Sequence, residues 1–215
     1  MFSLLYAFLM PIQETPFTVF DIETTGLAPS AGDRIVEIAG VRIERGEMQP
    51  SSQFLSLVNP QRKVPWEAQS VNRITEEDLL RAPTIDAVLP QFLEFARGTI
   101  LVAHNAEFDL SFLCAEKEMC WGYIDIPESL CTLCLSRSLS PHEYRHNLDA
   151  VAERLGVPLP AAGRHRALPD VLVTAEVFLK LLHKGNISSL EDLRKRATPV
   201  SGNRAKSKLV SWRSA

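Results

Sequence analysis

Three consecutive segments near the start of the chain have the residue pattern of β-strands, and only short turns connect them. "FTVFD" (17–21) is aromatic and β-branched, and "RIVEIAGVRIERG" (34–46) alternates apolar with polar residues. "SSQFLSLVNP" (51–60) follows a turn that Gly46 opens, and Pro60 closes it. Because the connections are short, the three strands are expected to form an antiparallel meander.

The pattern then becomes helical, with one further strand between the helices. "TEEDLLRA" (75–82) has a threonine cap and acids in its first turn, and "TIDAVLPQFLEFARG" (84–98) is apolar at helical spacing up to Gly98. "TILVAH" (99–104) is a short apolar strand. Three more segments have helical patterns: 105–118, 147–156 and 170–185. Strands followed by alternating strands and helices predict an α/β fold with a mixed sheet.

Carboxylates cluster at the ends of these elements. Asp21 and Glu23 lie two residues apart, so a strand directs both to one side at its carboxyl end, where α/β sheets build their sites. Asp109 falls in the first turn of a predicted helix, and "HRALPD" places His165 and Asp170 at the entry to the last long helix. Each has a structural alternative: a solvated strand end, complementation of a helix dipole, or a surface histidine.

Composition describes a single domain without a strong overall charge. The chain has 215 residues, 46% of them hydrophobic, and a formal net charge of −3, so whole-molecule charge gives no signal for nucleic acid. From residue 194 to residue 215 there are seven Lys/Arg and no acid. This pattern predicts a flexible basic tail that touches nucleic acid or an acidic partner, or that is merely solvated.

The expected divisions are an apolar leader (1–16), a main domain (17–185), and a short helix with the tail (186–215).

The cysteines and the apolar leader give weaker evidence about structure and function. "CTLC" (131–134) has the spacing of half a zinc site, but no second half-site accompanies it, so Cys114, Cys120, Cys131 and Cys134 are expected to be small buried residues of a reduced protein. The apolar start, "MFSLLYAFLMP", lacks the positive flank of a signal peptide and the length of a membrane span. We therefore expect a cytosolic protein without a membrane partner.

Taken in order, the acidic stretches resemble the three motifs of the DEDDh family, the DnaQ-like 3′→5′ exonucleases, which include the proofreading epsilon subunit of DNA polymerase III. "DIETTG", "HNAEFD" and "HRALPD" match the motifs, and the resemblance extends from about residue 17 to about residue 183. It implies an RNase H-like fold, a mixed five-stranded sheet flanked by helices. It also implies hydrolysis of DNA 3′ ends to nucleoside 5′-monophosphates, in proofreading or repair.

The resemblance also assigns roles to residues. Four acids are implied ligands of two Mg²⁺ or Mn²⁺ ions, and His165 is the implied general base: the acids are Asp21, Glu23, Asp109 and Asp170. Oxygen ligands of this kind suit such hard cations. The implied substrate-binding residues are Thr24, Thr25, Gly26, His104, Asn105 and Phe108, although Phe108 also fits a core position.

Two other functions stay open on the sequence alone. The same family contains exoribonucleases, and no residue here settles how a 2′-hydroxyl is treated. A non-catalytic scaffold associated with a polymerase would be expected to lack a motif residue, and none is missing. One departure lies within the resemblance: Asn72 and Arg73 stand where relatives commonly have His and Gly, which puts the local turn geometry in question.

Overall fold

One mixed sheet organises the molecule. The computed structural model describes residues 11–120, 125–160 and 166–199. Within them the sheet has the order β3-β2-β1-β4-β5, and its strands are β1 Phe17–Thr24, β2 Ile35–Glu44, β3 Glu47–Leu57, β4 Ile100–Ala103 and β5 Ser129–Cys131. The first three strands are antiparallel neighbours, whereas β4 runs parallel to β1 and β5 parallel to β4. The predicted meander and the mixed five-stranded sheet are confirmed.

Helices flank this sheet. Those within the described residues are α1 Trp66–Asn72, α2 Glu76–Leu79, α3 Ile85–Phe95, α4 Ala106–Met119, α5 Thr132–Leu139, α6 Leu148–Leu155, α7 Ala167–Lys184 and α8 Leu190–Ala197. Short 3₁₀ turns cover Ile12–Glu14 and Pro29–Ala31. Thr75 caps α2 through a reciprocal hydrogen-bond pair with Asp78, as the sequence predicted. None of these helices combines the length and apolar character needed to cross a bilayer.

The two faces of the sheet bury different helices. Phe17 and Val19 pack with α7, and the Phe17 and Phe178 rings meet edge to face with centroids 5.1 Å apart. Phe20 and Ile22 point to the opposite face, where α3 and α4 pack. Because side chains alternate along a strand, Asp21 and Glu23 continue the row of Phe17 and Val19 and face α7.

A buried ion pair joins the start of β2 to the last turns of α4. Arg34 donates from Nε and Nη2 to the two carboxylate oxygens of Glu116, both at 2.8 Å, and the amide of Ile35 donates to Glu116 Oε1 at 3.1 Å. The Glu116 side chain is only 2% exposed. Bidentate geometry and full hydrogen bonding offset the desolvation of the two charges.

The basic segment after residue 193 is partly helical. Leu193 is fully buried in the core on the α7 side of the sheet. Arg194 pairs bidentately with Glu128, while Lys195 and Arg196 pair with Glu191 and Asp192 one turn earlier. The expectation of a flexible tail is therefore wrong for these three cations. The leader residues 1–10 and the cations beyond residue 199 lie outside the described residues.

The departure at Asn72 and Arg73 produces an ordinary helix end. Arg73 ends α1 in the left-handed region, with φ 60° and ψ 23°, and its amide donates to Gln69. A glycine adopts this conformation freely, whereas a side chain is strained in it. Arg73 thus forms the same turn that a glycine would form, but with more backbone strain.

Replacement of Arg73 by glycine should stabilise the protein slightly. Relief of roughly 1–2 kcal/mol of left-handed strain is partly offset by about 0.5–1 kcal/mol of added chain entropy, so the net gain should be below about 1 kcal/mol. Urea unfolding of Arg73→Gly measures it. Arg73→Ala, which keeps the strain, should show no gain; a clear loss of stability in Arg73→Gly would contradict the interpretation.

Candidate active site

The first two acids lie where β1 outruns its parallel neighbour. Within the described residues, β4 pairs with β1 only from Phe17 to Val19, so the remainder of β1 extends past it. Asp21 pairs with Ala39 of β2 and Glu23 with Glu37, and both acids are half-buried. The structure thus holds the pair on a rigid strand end that solvent reaches.

Asp109 approaches the same strand end from the opposite face of the sheet. It lies in the first turn of α4 and is 2% exposed. Burial, which disfavours the ionised form, raises the pKa of Asp109 to about 8, although nearby backbone N–H groups, including that of Ile22, oppose the shift. The third acid therefore lies close to the backbone of Ile22, the residue between Asp21 and Glu23.

Asp170 comes to the site on α7. This helix begins at Ala167, with Pro169 and Asp170 in its first four residues, and the amide of Asp170 donates to the Arg166 carbonyl. Proline is tolerated there because the missing N–H would have no helical partner. Asp170 is half-buried on the helix that covers the face of Asp21 and Glu23. His165 lies outside the described residues.

These four acids fit a magnesium or manganese site that substrate would complete. Within the described ranges, no three His, Cys, Asp or Glu side chains already form a metal-holding group. Mg²⁺ keeps several waters and binds through one or two carboxylates together with substrate phosphates, so a closed protein cage is not required. The donor set consists of hard carboxylate oxygens, and the buried Asp109 carboxyl would be ionised more easily beside a cation.

The loop after β1 is held by one carboxylate. Asp33 accepts hydrogen bonds from the Thr25 hydroxyl at 3.2 Å and from the Ala28 amide at 3.1 Å. The Thr24 hydroxyl donates to the Gly26 carbonyl at 2.6 Å. Both threonine hydroxyls therefore donate within the loop. A Cβ on Gly26 would lie 2.3 Å from the Asp33 carboxylate, so a larger residue there would force that carboxylate to move.

Asn72 supports this loop from α1. Its side chain is 2% exposed, donates to the Thr24 carbonyl at 3.3 Å and accepts from the Ile74 amide at 3.0 Å. The residue that departs from the family pattern thus fixes the backbone directly after Glu23. Nothing in the sequence identified this role, because a lone asparagine has no periodic signature.

The residues of the second motif (104–109) differ in position, because some are exposed and others pack inside the protein. Asn105 is exposed and left-handed, with φ 62°, which asparagine tolerates, and it directly precedes α4. Phe108 packs on Phe112 with ring centroids 5.1 Å apart, which favours the core position over base stacking. His104 Nδ1 lies 2.8 Å from the Thr132 hydroxyl, and burial lowers the His104 pKa to about 4. Its neutral, inward ring fits support of the motif better than the expected contact with substrate.

Other residues at the site escaped the sequence interpretation. Leu27, directly after Gly26, is 84% exposed and so presents an apolar side chain to solvent beside the acids. Glu37 is buried next to Glu23 and pairs with Arg166. The sequence signal that could have identified Glu37 is the presence of an acid inside the apolar strand pattern "IVEIAGV".

The cysteines are free thiols rather than a uniform set of buried residues. Cys120 and Cys131 are buried, whereas Cys114 is exposed, contrary to the expectation. Cys131 ends β5 close to Asp109, and the neighbouring Cys134 thiol lowers the pKa of Cys131 to about 6 against the effect of burial.

A methyl group on Gly26 should destabilise the protein through Asp33. Gly26→Ala should lower the free energy of unfolding by about 1–3 kcal/mol, as overpacking usually does. Because the clash involves the Asp33 carboxylate, the same change should cost less in an Asp33→Ala background. Urea unfolding of both single variants and the double variant measures the difference. Equal costs in the two backgrounds would show that the clash does not determine the effect.

Comparisons with known proteins agree with this geometry. The family profile described as exonuclease, of the RNase T type, matches residues 18–178. A DNA polymerase III subunit epsilon-like protein from Rhodobacter capsulatus is 45% identical over 172 residues, which cover 80% of this chain and 24% of that protein. DNA polymerase III subunit epsilon from Aquifex aeolicus is 35% identical over 186 residues, covering 83% and 90%.

A solved exonuclease structure is also similar to this chain. Exonuclease X, in complex with 5′ overhanging duplex DNA, superimposes with a TM-score of 0.64 at 29% identity, covering 79% of this chain and 93% of that one. The chain spans about a quarter of the Rhodobacter relative, so the match is to one region of a longer protein. On the matched family profile, the shared fold and these identities, the chain belongs to the RNase T/DnaQ-like exonuclease family, related to the epsilon subunits of DNA polymerase III.

Proposed function

We propose that this protein is a 3′→5′ exodeoxyribonuclease that removes nucleoside 5′-monophosphates from DNA ends with the help of two Mg²⁺ or Mn²⁺ ions. The observation that carries the proposal is the arrangement at the end of β1. Asp21 and Glu23 lie on the strand, and Asp109 lies close to the backbone of Ile22 between them. Asp170 is on the helix that packs against the same face.

The acids divide the proposed cation binding between them. Asp21 would help to hold both cations, Glu23 and Asp170 would help to hold one of them, and Asp109 would act on the other, largely through water. Bound cations of this kind polarise the phosphodiester and stabilise the oxygens that attack and leave. The protein's own contribution is to hold these carboxylates on the rigid elements β1, α4 and α7, with the backbone of the loop after β1 positioned for the terminal sugar.

His165 is proposed as the general base because it belongs to the third acidic motif, "HRALPD". An imidazole of ordinary pKa, about 6.5, is mostly neutral at pH 7 and can accept a proton from the attacking water. His165 lies outside the described residues, so this role rests on its place in the third motif, directly before Arg166.

DNA is favoured as the substrate by the relatives. The Aquifex and Rhodobacter proteins are named for DNA polymerase III epsilon, and exonuclease X was solved on DNA. A role in proofreading or repair, with a polymerase subunit as a partner, follows from the same names. All five motif residues are present, which favours an enzyme over a scaffold. The exoribonuclease alternative differs only in how the 2′-hydroxyl is accommodated.

The proposal predicts metal-dependent shortening of DNA from its 3′ end. A single-stranded DNA labelled at its 5′ end should be shortened stepwise in Mg²⁺ or Mn²⁺, and not in EDTA, because the acids cannot act without cations. RNA of the same sequence should be shortened more slowly, and Asp21→Asn should be inactive on both. Gel analysis of the products measures this.

The outcomes separate the candidate functions. Full activity after exhaustive chelation would contradict the two-cation mechanism. Faster shortening of RNA than of DNA would assign the protein to the exoribonucleases. A wild-type protein that binds DNA without cleaving it in either metal would support the scaffold.

Variants of His165 separate base catalysis from positioning. His165→Ala and His165→Gln should each lower turnover by roughly 10²–10⁴-fold, the usual contribution of general acid–base catalysis. Wild-type activity should rise with pH through about 6 to 7, because the imidazole must lose its proton before it can accept another. Single-turnover cleavage against pH tests this for all three proteins. Near wild-type rates in His165→Gln, with the same pH profile, would show that His165 is not the base.

A further inference from the structure

Glu37 is a carboxylate buried inside the sheet. It lies on β2, and its side chain is 1% exposed between apolar neighbours. Burial of a charge is costly unless the charge is paired and hydrogen-bonded, and an apolar residue would fill the position without that cost. A buried Glu37 therefore requires partners that pair with its charge and donate hydrogen bonds to it.

The partners of Glu37 are two consecutive residues at the start of α7. Arg166 donates from Nε to both carboxylate oxygens, at 3.2 and 3.1 Å, and also from Nη2 to Oε1. The amide of Ala167, the first residue of α7, donates to Oε2 at 2.9 Å. One carboxylate thus holds both the side chain before the helix and the first amide of the helix.

This anchor adjoins the acids of the proposed site. Glu37 lies directly across from Glu23 in the β1–β2 register, so the two side chains share the α7 face. The hydrogen bonds from Arg166 to Glu37 raise the pKa of Arg166 against the effect of burial, and the negative charges of Glu37 and Glu23 raise it further. Asp170 follows within the first turn of the same helix, and its amide donates to the Arg166 carbonyl.

We propose that Glu37 and Arg166 are positioning residues that fix the start of α7 against β2 and so hold Asp170 in register with Asp21 and Glu23. This inference rests on the proposed function, since the acids are taken as cation ligands. Groups that orient metal ligands in this way usually contribute a factor of about 10–100 to metal affinity or activity. The pair contacts neither the cations nor the substrate in this account; it acts through the helix that carries Asp170.

An apolar replacement of the whole pair separates positioning from stability. Removing one partner would leave a buried charge, whereas replacing a buried ion pair by apolar residues of similar size is often neutral or stabilising. Glu37→Leu/Arg166→Met should therefore keep the wild-type melting temperature or exceed it. Its kcat on a DNA oligonucleotide should fall by about 10–100-fold, with KM close to that of the wild type. Its affinity for Mn²⁺, measured by calorimetry in the presence of a nucleoside 5′-monophosphate, should fall by a similar factor.

The second buried pair provides a matched control. Arg34 and Glu116 have similar bidentate geometry and similar burial of the acid, but they join the start of β2 to the last turns of α4, seven residues along the helix from Asp109. Glu116→Leu/Arg34→Met should retain Mn²⁺ affinity. In addition, the conservative variant Glu37→Gln, which can still accept from Ala167, should recover part of the kcat lost in the apolar double variant.

The possible failures are distinguishable. If the apolar Glu37 and Arg166 variant kept wild-type kcat and Mn²⁺ affinity, the positioning role would be wrong. Equal losses in that variant and in the Glu116 and Arg34 variant would also overturn it, since they would reflect general core damage. If the wild type bound Mn²⁺ but shortened no nucleic acid, the proposed function would fail, and the Mn²⁺ affinities would still decide whether Glu37 and Arg166 position the acids.

Discussion

Repulsion between carboxylates gathered at one strand end is the constraint on which the rest of this structure depends. Like charges this close are stable only when rigid elements hold them and cations or hydrogen bonds compensate them. The fold carries Asp109 on a helix at one face of the sheet and Asp170 on a helix at the other face. The parallel β4 ends early, which leaves the end of β1 open to solvent.

The sequence predicted the parts of the fold that have strong periodicity. The meander from β1 to β3 and the long helices α4 and α7 are confirmed, because their apolar residues recur at strand or helix spacing over many residues. The three-residue β5 and helix α5 were not identified. "SLCTLCLSRSL" is rich in serine and cysteine and too short to show a period. Its structure depends on parallel pairing with β4, a contact between residues about thirty positions apart.

The sequence named the acids of the candidate site but not the residues that support them. The motifs nominate Asp21, Glu23, Asp109 and Asp170, and the structure places them near the end of β1 and in the first turns of α4 and α7. Asn72 and Glu37 were not identified, because their hydrogen bonds join residues far apart in the sequence and leave no local pattern. The Thr24 and Thr25 hydroxyls form hydrogen bonds within the loop, and their contact with substrate stays a prediction.

The central claim is that the four acids bind two cations together at the end of β1. Electron paramagnetic resonance of the protein with Mn²⁺ and a nucleoside 5′-monophosphate tests it most directly. The account predicts a spin-coupled Mn²⁺ pair, with the ions roughly 3.5–4 Å apart, that is lost in Asp21→Asn. Isolated Mn²⁺ signals in the wild-type protein, or a coupled pair that survives in Asp21→Asn, would contradict it.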